Sequence, residues 1–215
     1  MVICAGTPGS GKTVLCQKLS RSDRDRDKKV GSNSDNHQVG DEAEEEGLEL
    51  KTLPTVGVNH FQVDVSLRHA KKQKKKKKPG TGFELVTVRE LGGELACAWT
   101  SYIQLDRDLI YVIDISDLTS VSNACIHLIK ILEHLAVADS NEKARVLLVY
   151  SKTDRFSSEQ EISARLVLVR SLLRLSYLRA WYESRVDFEE LRFSAIESPI
   201  GGVAFVKNWL RKQQI

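Results

Sequence analysis

Short apolar runs and helical repeats of apolar residues alternate along this chain. Residues 109–115 and 145–150 consist mainly of valine, isoleucine, leucine and tyrosine, a composition typical of central strands in a parallel sheet that is covered on both faces. Between these runs, apolar residues recur at steps of three and four, which predicts an amphipathic helix. The residues of that stripe are Val121, Cys125, Leu128, Leu132 and Leu135.

The N-terminal half contains further elements of the same kind. The apolar run at the start of the chain predicts a first strand, and residues 13–19 predict a short helix. Alternating apolar residues between Val58 and Leu67 predict a strand near a sheet edge. Residues 83–88 predict the strand that returns beside it as a hairpin.

Two helices and one strand are predicted near the C-terminus. A capping box within residues 157–161 starts a helix that continues toward Trp181. Residues 191–195 predict a last strand, and Val203, Val206 and Leu210 mark a terminal helix with Trp209 beside its apolar stripe. Strands that alternate with helices predict an α/β fold. We expect a mostly parallel central sheet, helices on both faces and one antiparallel edge hairpin.

Two charged segments interrupt this pattern. Residues 20–47 have too few apolar side chains to offset the entropy cost of ordering, and we predict a disordered acidic and polar insertion. Residues 69–82 contain the lysine-rich run from Lys71 to Lys78, which predicts a polybasic insertion at the hairpin tip. That run favours either a solvated loop or contact with anionic membrane, nucleic acid or a nuclear import receptor. We expect one domain, residues 1–215, with these two insertions.

Composition narrows the class of protein. The chain is 41% hydrophobic and 28% charged with a net charge of +3, and it contains neither a membrane-length apolar stretch nor a charged leader.

The four cysteines lack C-x-x-C spacing and are interpreted as reduced core thiols. His127 and His134 flank the helical stripe, where packing is favoured over metal binding. We predict a cytoplasmic monomer, with the lysine run leaving peripheral membrane or nuclear locations open.

The clearest chemical signal is a glycine-rich turn after the first strand. Residues 6–13 match the P-loop pattern G-x-x-x-x-G-K-[ST], in which glycines with positive φ bring backbone N–H groups close to a phosphate. Lys12 is expected to reach the β- and γ-phosphates and Thr13 to bind Mg²⁺ through its hydroxyl. The candidate nucleotide-binding residues of this loop are Gly6, Thr7, Pro8, Gly9, Ser10, Gly11, Lys12 and Thr13.

Three later loops are expected at the same rim of the sheet. Thr55 precedes the second strand, residues 90–93 follow the third, and residues 151–154 follow a buried strand. Ligands of open α/β sheets bind at the carboxyl ends of the strands. The P-loop alone does not distinguish ATP from GTP, so these loops decide the base.

Together these motifs resemble those of the ADP-ribosylation-factor-like branch of the small GTPases. The residues that carry the resemblance are Gly6 to Thr13, Pro54 to Gly57, Arg89 to Gly93 with Trp99 and Tyr102, Ser151 to Asp154, and Ser194 with Ala195. The resemblance covers nearly the whole chain apart from the two charged insertions. It implies the P-loop NTPase small-GTPase fold and the binding of GTP or GDP with Mg²⁺.

The resemblance also implies roles for single residues. Thr55 would bind Mg²⁺ and the Gly93 N–H would contact the γ-phosphate. Asp154 would accept hydrogen bonds from guanine N1 and N2, Lys152 would lie along the base, and the Ala195 N–H would meet guanine O6. The nucleotide-binding set implied outside the P-loop is Thr55, Glu90, Gly92, Gly93, Ser151, Lys152, Asp154, Ser194 and Ala195.

At three positions the chain departs from the family pattern. Glu90 stands where the family usually has aspartate and would reach Mg²⁺ through water. Ser151 replaces the asparagine whose amide bonds the base edge. Glu94 occupies the place of the catalytic, water-orienting glutamine, which predicts slow GTP hydrolysis because a carboxylate cannot donate toward the phosphate.

These observations favour a GTP-binding molecular switch with unidentified effector and regulatory proteins. A nucleotide-loaded scaffold that hardly hydrolyses GTP is the alternative. A third hypothesis, a P-loop ATPase or nucleotide kinase, requires an arginine-rich lid, for which the sequence offers no clear candidate.

Overall fold

A single six-stranded sheet forms the centre of the structure. The computed structural model describes residues 1–21, 53–66, 84–103, 107–137, 142–196 and 199–212. The strands are β1 (Val2–Gly6), β2 (Val58–Asp64), β3 (Leu85–Leu91), β4 (Asp108–Asp114), β5 (Ala144–Ser151) and β6 (Val186–Arg192). Their spatial order is β2-β3-β1-β4-β5-β6. Only β2 and β3 pair antiparallel, so the prediction of a mostly parallel sheet with one edge hairpin is confirmed.

Helices connect these strands. Within the described ranges they are α1 (Lys12–Ser20), α2 (Trp99–Ile103), α3 (Leu118–Val137), α4 (Glu159–Leu172), α5 (Leu175–Tyr182) and α6 (Pro199–Arg211). Two short 3₁₀ turns cover Gly93–Ala98 and Thr153–Arg155. In the part of the chain that is described, no helix is both long and apolar enough to cross a bilayer.

Alternation along the central strands divides the core into two layers. In β1, Ile3 and Ala5 pack on one face with α3, α4 and α5, whereas Val2 and Cys4 pack on the other with α1 and α6. Both faces of β1, β4 and β5 are therefore buried. This burial accounts for the continuous apolar runs in the sequence of these strands.

The helix predicted to run from the capping box toward Trp181 is wrong as a single element. The capping box itself is present, since Ser158 Oγ accepts from the Glu161 N–H at 3.2 Å. Arg174, however, adopts φ 51° and ψ 39°, a left-handed conformation that separates α4 from α5. Leu173 and Leu175 are both buried. Their spacing of two residues breaks the helical stripe, and the chain must turn to bury both.

The last strand is longer than predicted and begins earlier. β6 covers Val186–Arg192 rather than residues 191–195, because its charged residues conceal a strand pattern in the sequence. Trp209, expected beside the terminal stripe, is 1% exposed and lies under the guanidinium of Arg145 at 4.6 Å.

The cysteine interpretation is only partly correct. Cys4 and Cys16 are buried and Cys125 is half-buried, but Cys97 is exposed. Cys97 lies in the 3₁₀ turn, a segment that was not assigned to any element from sequence. The predictions for residues 22–47 and for the polybasic hairpin tip at 69–82 fall outside the described residues.

Candidate functional site

The turn between β1 and α1 has the geometry expected of a P-loop. Gly6, Gly9 and Gly11 have φ values of 151°, 72° and 91°, so the predicted positive φ is confirmed. Lys12 folds back over the turn, and its Nζ donates to the carbonyl oxygens of Gly6 and Thr7, each at 2.9 Å. Burial lowers the pKa of the Lys12 amine, and the charges of its neighbours, Glu90 among them, partly oppose this. A cation is thus fixed in the concave side of the loop.

The loop also holds two hydroxyl oxygens that lack partners. Thr7 Oγ1 and Ser10 Oγ are buried without a hydrogen bond to any described residue. Buried polar atoms usually find a protein or water partner, and exceptions require an explanation. A bound polar ligand or ordered water is such an explanation.

Three oxygen atoms from separate parts of the chain converge beside the loop. Thr13 Oγ1 donates to Glu90 Oε1 at 2.5 Å, and Thr55 Oγ1 donates to the same atom at 3.2 Å. The two threonine hydroxyl oxygens are 3.1 Å apart. Adjacent ligand oxygens in a Mg²⁺ octahedron, with metal–oxygen distances of about 2.1 Å, are also about 3 Å apart. The 3.1 Å spacing of the two threonine hydroxyl oxygens therefore fits two adjacent ligands of Mg²⁺, whereas the 2.5 Å contact of Thr13 with Glu90 is a short hydrogen bond.

Glu90 is the centre of this cluster. It is fully buried at the end of β3, and Asn59, its partner across the hairpin, donates to Glu90 Oε2 at 3.4 Å. Glutamate is one methylene longer than the aspartate usual at this position, and its carboxylate oxygen contacts both threonine hydroxyls directly. In the described ranges, no group of three or more histidine, cysteine, aspartate or glutamate residues could hold a metal. The structure brings together the two threonines predicted to bind the metal, and Glu90 accepts a hydrogen bond from each of them.

Two glycines allow the neighbouring loops to approach one another. The Gly92 N–H donates to Gly57 O at 2.9 Å, and a Cβ added at Gly92 would lie 2.3 Å from Thr55 O. A Cβ added at Gly93 would lie 2.4 Å from the backbone nitrogen of Pro8. No side chain fits at either position. The Thr55 loop, the Gly92–Gly93 turn and the P-loop therefore form one contact network.

These loops enclose a cleft of about 320 Å³. The predicted residues that line it are Pro8, Gly9, Gly11, Lys12, Thr13, Thr55, Glu90, Gly93, Glu94 and Lys152. Sequence reasoning missed Val14, Leu53, Pro54 and Arg155, which also line it. Leu53 and Pro54 directly precede Thr55 in the sequence, and Arg155 directly follows Asp154. Proximity in sequence to a predicted site residue could therefore have identified these three. Glu94 lies at the start of the 3₁₀ turn, where it is exposed and lines the cleft.

Arg89, the arginine nearest to Glu90 in sequence, is turned away from the cleft. Its Nε donates to His60 Nε2 at 3.3 Å on the β2–β3 hairpin. Among the described residues, Arg155 is an arginine that does line the cleft. A cationic side chain is therefore present in the lining of the cleft.

Ser151 connects the turn after β5 to the P-loop rather than pointing into the cleft. It is 3% exposed, and its hydroxyl lies 2.7 Å from Ser10 O and 3.1 Å from Ile113 O. One hydroxyl proton serves one of these acceptors at a time. Ser151 thus positions the turn.

The candidates Asp154, Ser194 and Ala195 are not among the residues that line this cleft. Asp154 and Ser194 are bonded to each other next to this turn, and with Lys152 and Ala195 we treat them as a second part of the candidate site. Ser194 Oγ donates to Asp154 Oδ1 at 2.8 Å and accepts from the Ile196 N–H at 3.1 Å. Lys152 Nζ forms an ion pair with Asp114 Oδ2 at 2.5 Å. The Asp154 carboxylate is therefore fixed by Ser194 and retains free acceptor positions for a ligand with two adjacent donors.

Comparisons with known proteins agree with this geometry. A search of protein-family models found no match. Human ADP-ribosylation factor-like protein 16 is 29% identical over 213 residues, which is 98% of this chain and 84% of the human protein.

Two solved structures show the same fold. The small GTPase Arl6 (BBS3) of Trypanosoma brucei, with the bound nucleotide analogue GppNp, has a TM-score of 0.62 and 16% identity, covering 99% of this chain and 95% of that one. A chain of the signal recognition particle receptor SRb-GTP/SRX complex of Chaetomium thermophilum has a TM-score of 0.59 and 14% identity, covering 99% and 96%. This chain is therefore similar in sequence to a human ADP-ribosylation factor-like protein and has the fold of the small GTPases.

Proposed function

We propose that the chain binds a guanine nucleotide with Mg²⁺ and acts as a molecular switch. The observation that carries this proposal is the convergence of Lys12, Thr13, Thr55 and Glu90 on one cleft. Lys12 would bind the β- and γ-phosphate oxygens, and the P-loop N–H groups would surround the β-phosphate. Thr13 and Thr55 would hold the metal directly and Glu90 would reach it through water, and the metal when bound would neutralise charge on the two terminal phosphates.

Guanine recognition is assigned to the second part of the site. Asp154, held by Ser194, would accept hydrogen bonds from guanine N1 and N2, whereas adenine presents an acceptor at N1 and has no 2-amino group. Lys152, held by Asp114, would lie along the base, and the Ala195 N–H would meet guanine O6. This assignment disfavours the hypothesis of an ATPase or nucleotide kinase.

The switch itself would consist of the loops that contain Thr55 and Gly93. Both loops contact each other, and Gly93 also contacts the P-loop. In the triphosphate state Thr55 and the Gly93 N–H would be held at the γ-phosphate side of the cleft. Loss of that phosphate would remove these contacts and release both loops, which changes the surface offered to effector and regulatory proteins.

Slow intrinsic hydrolysis follows from Glu94 in the place of glutamine. Glu94 accepts from an attacking water but, when ionised, donates nothing toward the phosphate and adds negative charge. The same residue supports the second candidate function, a scaffold that stays loaded with triphosphate. The two differ in whether GTP is hydrolysed at a measurable rate once bound.

Three further predictions concern properties of the protein outside the nucleotide site. Contact of the run from Lys71 to Lys78 with anionic membrane or nucleic acid stays a prediction, as do the monomeric state and a cytoplasmic location. None of these is required for nucleotide binding.

Identification of the nucleotide that co-purifies with the protein tests the proposal. The protein is purified with Mg²⁺ present, denatured, and its released nucleotides are separated by anion-exchange chromatography. We expect close to one equivalent of GDP or GTP, and none from the Lys12→Ala variant. A predominance of GTP would favour the scaffold. An adenine nucleotide, or no binding of any added guanine nucleotide, would overturn the proposal.

A further inference from the structure

Helices α4 and α5 carry apolar residues on both of their faces. Ile162, Leu166 and Val169 of α4 and Leu175 and Leu178 of α5 are buried against the sheet. A surface helix normally presents charged and polar residues on its other side. Here five large apolar or aromatic side chains project outward instead: Val167, Leu168, Leu172, Tyr177 and Trp181. We call this set the α4–α5 face.

The five residues form two apolar groups on the outer side of these helices, one of Val167, Tyr177 and Trp181 and one of Leu168 and Leu172. Val167 and Tyr177 line the same groove at the junction of the two helices, and Tyr177 stacks on Trp181 with ring centroids 5.7 Å apart. Leu168 and Leu172 are four residues apart on α4 and hence neighbours on the helix surface. Trp181 and Val167 are the most exposed members, at 68% and 65%. Exposed apolar groups of this kind mark an interaction site.

The segment that carries this face has a net positive charge. Residues 163–185 contain five arginines and a single acidic residue, Glu183. Arg170 and Arg179 both pair with Glu190, at 2.7 and 2.6 Å, so this group of three keeps one net positive charge. Arg174, in the groove, and Arg185, beyond α5, are exposed. The charge complementary to this face is negative.

We propose that the α4–α5 face docks on an anionic lipid surface. Tryptophan and tyrosine are the side chains enriched at membrane interfaces, where the ring is apolar and one end is polar. Arginine extends its charged end to lipid headgroups while its methylenes cover apolar surface. Aliphatic residues next to them supply the buried area, and anionic lipid supplies the charge. This docking involves neither the nucleotide cleft nor the lysine run, and it does not rest on the proposed function.

The three tryptophans of the chain provide a direct readout. Trp99 and Trp209 are each 1% exposed, and Trp181 is the exposed one. We would measure tryptophan emission and acrylamide quenching of the full chain with phosphatidylcholine vesicles, with and without phosphatidylserine. We expect a shift to shorter wavelength and protection from acrylamide only with the anionic vesicles. Trp181→Ser should show neither change.

Variants then separate this face from other surfaces. A double variant with Leu168→Ser and Leu172→Ser keeps Trp181 as the fluorescent reporter. We expect its co-sedimentation with vesicles to weaken by on the order of tenfold. Ile126→Ser with Val137→Ser removes two exposed apolar residues from α3 and should have no effect. Vesicle binding should also persist when the lysines from Lys71 to Lys78 are changed to serine.

Three results would overturn the proposal. The first is an unchanged Trp181 environment with anionic vesicles, which would leave the face to a protein partner. The second is loss of vesicle binding when only the lysine run is changed. The third is a concentration-dependent dimer in analytical ultracentrifugation that Trp181→Ser dissociates, which would assign the face to a second copy of the chain.

Discussion

The Ser151 hydroxyl lies 2.7 Å from the carbonyl oxygen of Ser10, across 141 residues of sequence. This contact joins the turn after β5 to the P-loop, so the part of the cleft assigned to the base is tied to the part assigned to the phosphates. Asparagine at this position would offer an amide to both the loop and the base. Serine is too short for the second contact and keeps only the first.

Replacing Ser151 by alanine should therefore speed the release of bound nucleotide. A hydrogen bond of this kind contributes about 1 kcal/mol, which corresponds to roughly fivefold faster GDP release. Release of a fluorescent GDP analogue measures this rate. Ser151→Asn should slow release below the wild-type rate, and Ser120→Ala, at an exposed hydroxyl of α3, serves as the control. An unchanged rate in Ser151→Ala would show that the link has no role in holding nucleotide.

The P-loop could be predicted from sequence because its chemistry resides in contiguous residues. The requirements at these positions are local. Gly6, Gly9 and Gly11 need positive φ, and Lys12 needs only a side chain long enough to fold back over the turn. The structure meets both requirements. The buried central strands could be predicted equally well, because both of their faces are apolar. Register between strands was not needed for either prediction.

Roles that depend on distant partners could not be predicted. The resemblance placed Ser151 in the nucleotide-binding set, whereas its hydroxyl bonds the carbonyl oxygen of Ser10, which is remote in sequence. Arg155 lines the cleft only because the fold brings it there. The break at Arg174 requires knowing that Leu173 and Leu175 are both buried. The bounds of β6 were predicted wrongly because a charged residue such as Glu190 is typical of a loop. Only the structure shows the partners that accommodate it within a strand.

Glu190 should contribute measurably to stability. It accepts from Tyr150 at 2.8 Å, from Arg170 at 2.7 Å and from Arg179 at 2.6 Å. The Glu190→Gln variant should lose about 1 kcal/mol of unfolding free energy at neutral pH, a value reduced by solvent screening because both arginines are nearly half exposed. Urea denaturation measures this. Glu159→Gln is the matched control, since its pair with Arg192 is far more exposed.

The Glu190 contribution should also depend on pH. Burial acts to raise the pKa of Glu190, but hydrogen bonds from Arg170 and Tyr150 outweigh it and lower the pKa overall. Stability gained from a lowered carboxyl pKa is complete above the ordinary glutamate value of about 4.3 and is lost as the pH falls through the folded-state pKa. The difference between wild type and Glu190→Gln should shrink below about pH 4. A difference that grows on acidification would contradict this account.

Glu94 should limit the rate of GTP hydrolysis. We expect single-turnover hydrolysis by the GTP-loaded wild type to be slower than about 10⁻⁴ s⁻¹, the scale of an unassisted small GTPase. Glu94→Gln restores a donor toward the γ-phosphate and should be faster, while Glu183→Gln, at an exposed glutamate beyond α5, should not. Equal rates in wild type and Glu94→Gln would remove Glu94 from the mechanism.

The most direct test of guanine-nucleotide binding is competition for the base at Asp154. Labelled GDP is displaced by GDP, ADP or XDP from wild type and from Asp154→Asn. Unpaired buried groups cost about 1–3 kcal/mol each, so two of them predict that wild type prefers GDP over ADP by on the order of hundredfold or more. An amide donates to the 2-oxo group of xanthine and still accepts from N1–H. Asp154→Asn should therefore lose GDP affinity and gain XDP affinity. Displacement by ADP as efficient as by GDP, or an unchanged preference in Asp154→Asn, would contradict the assignment.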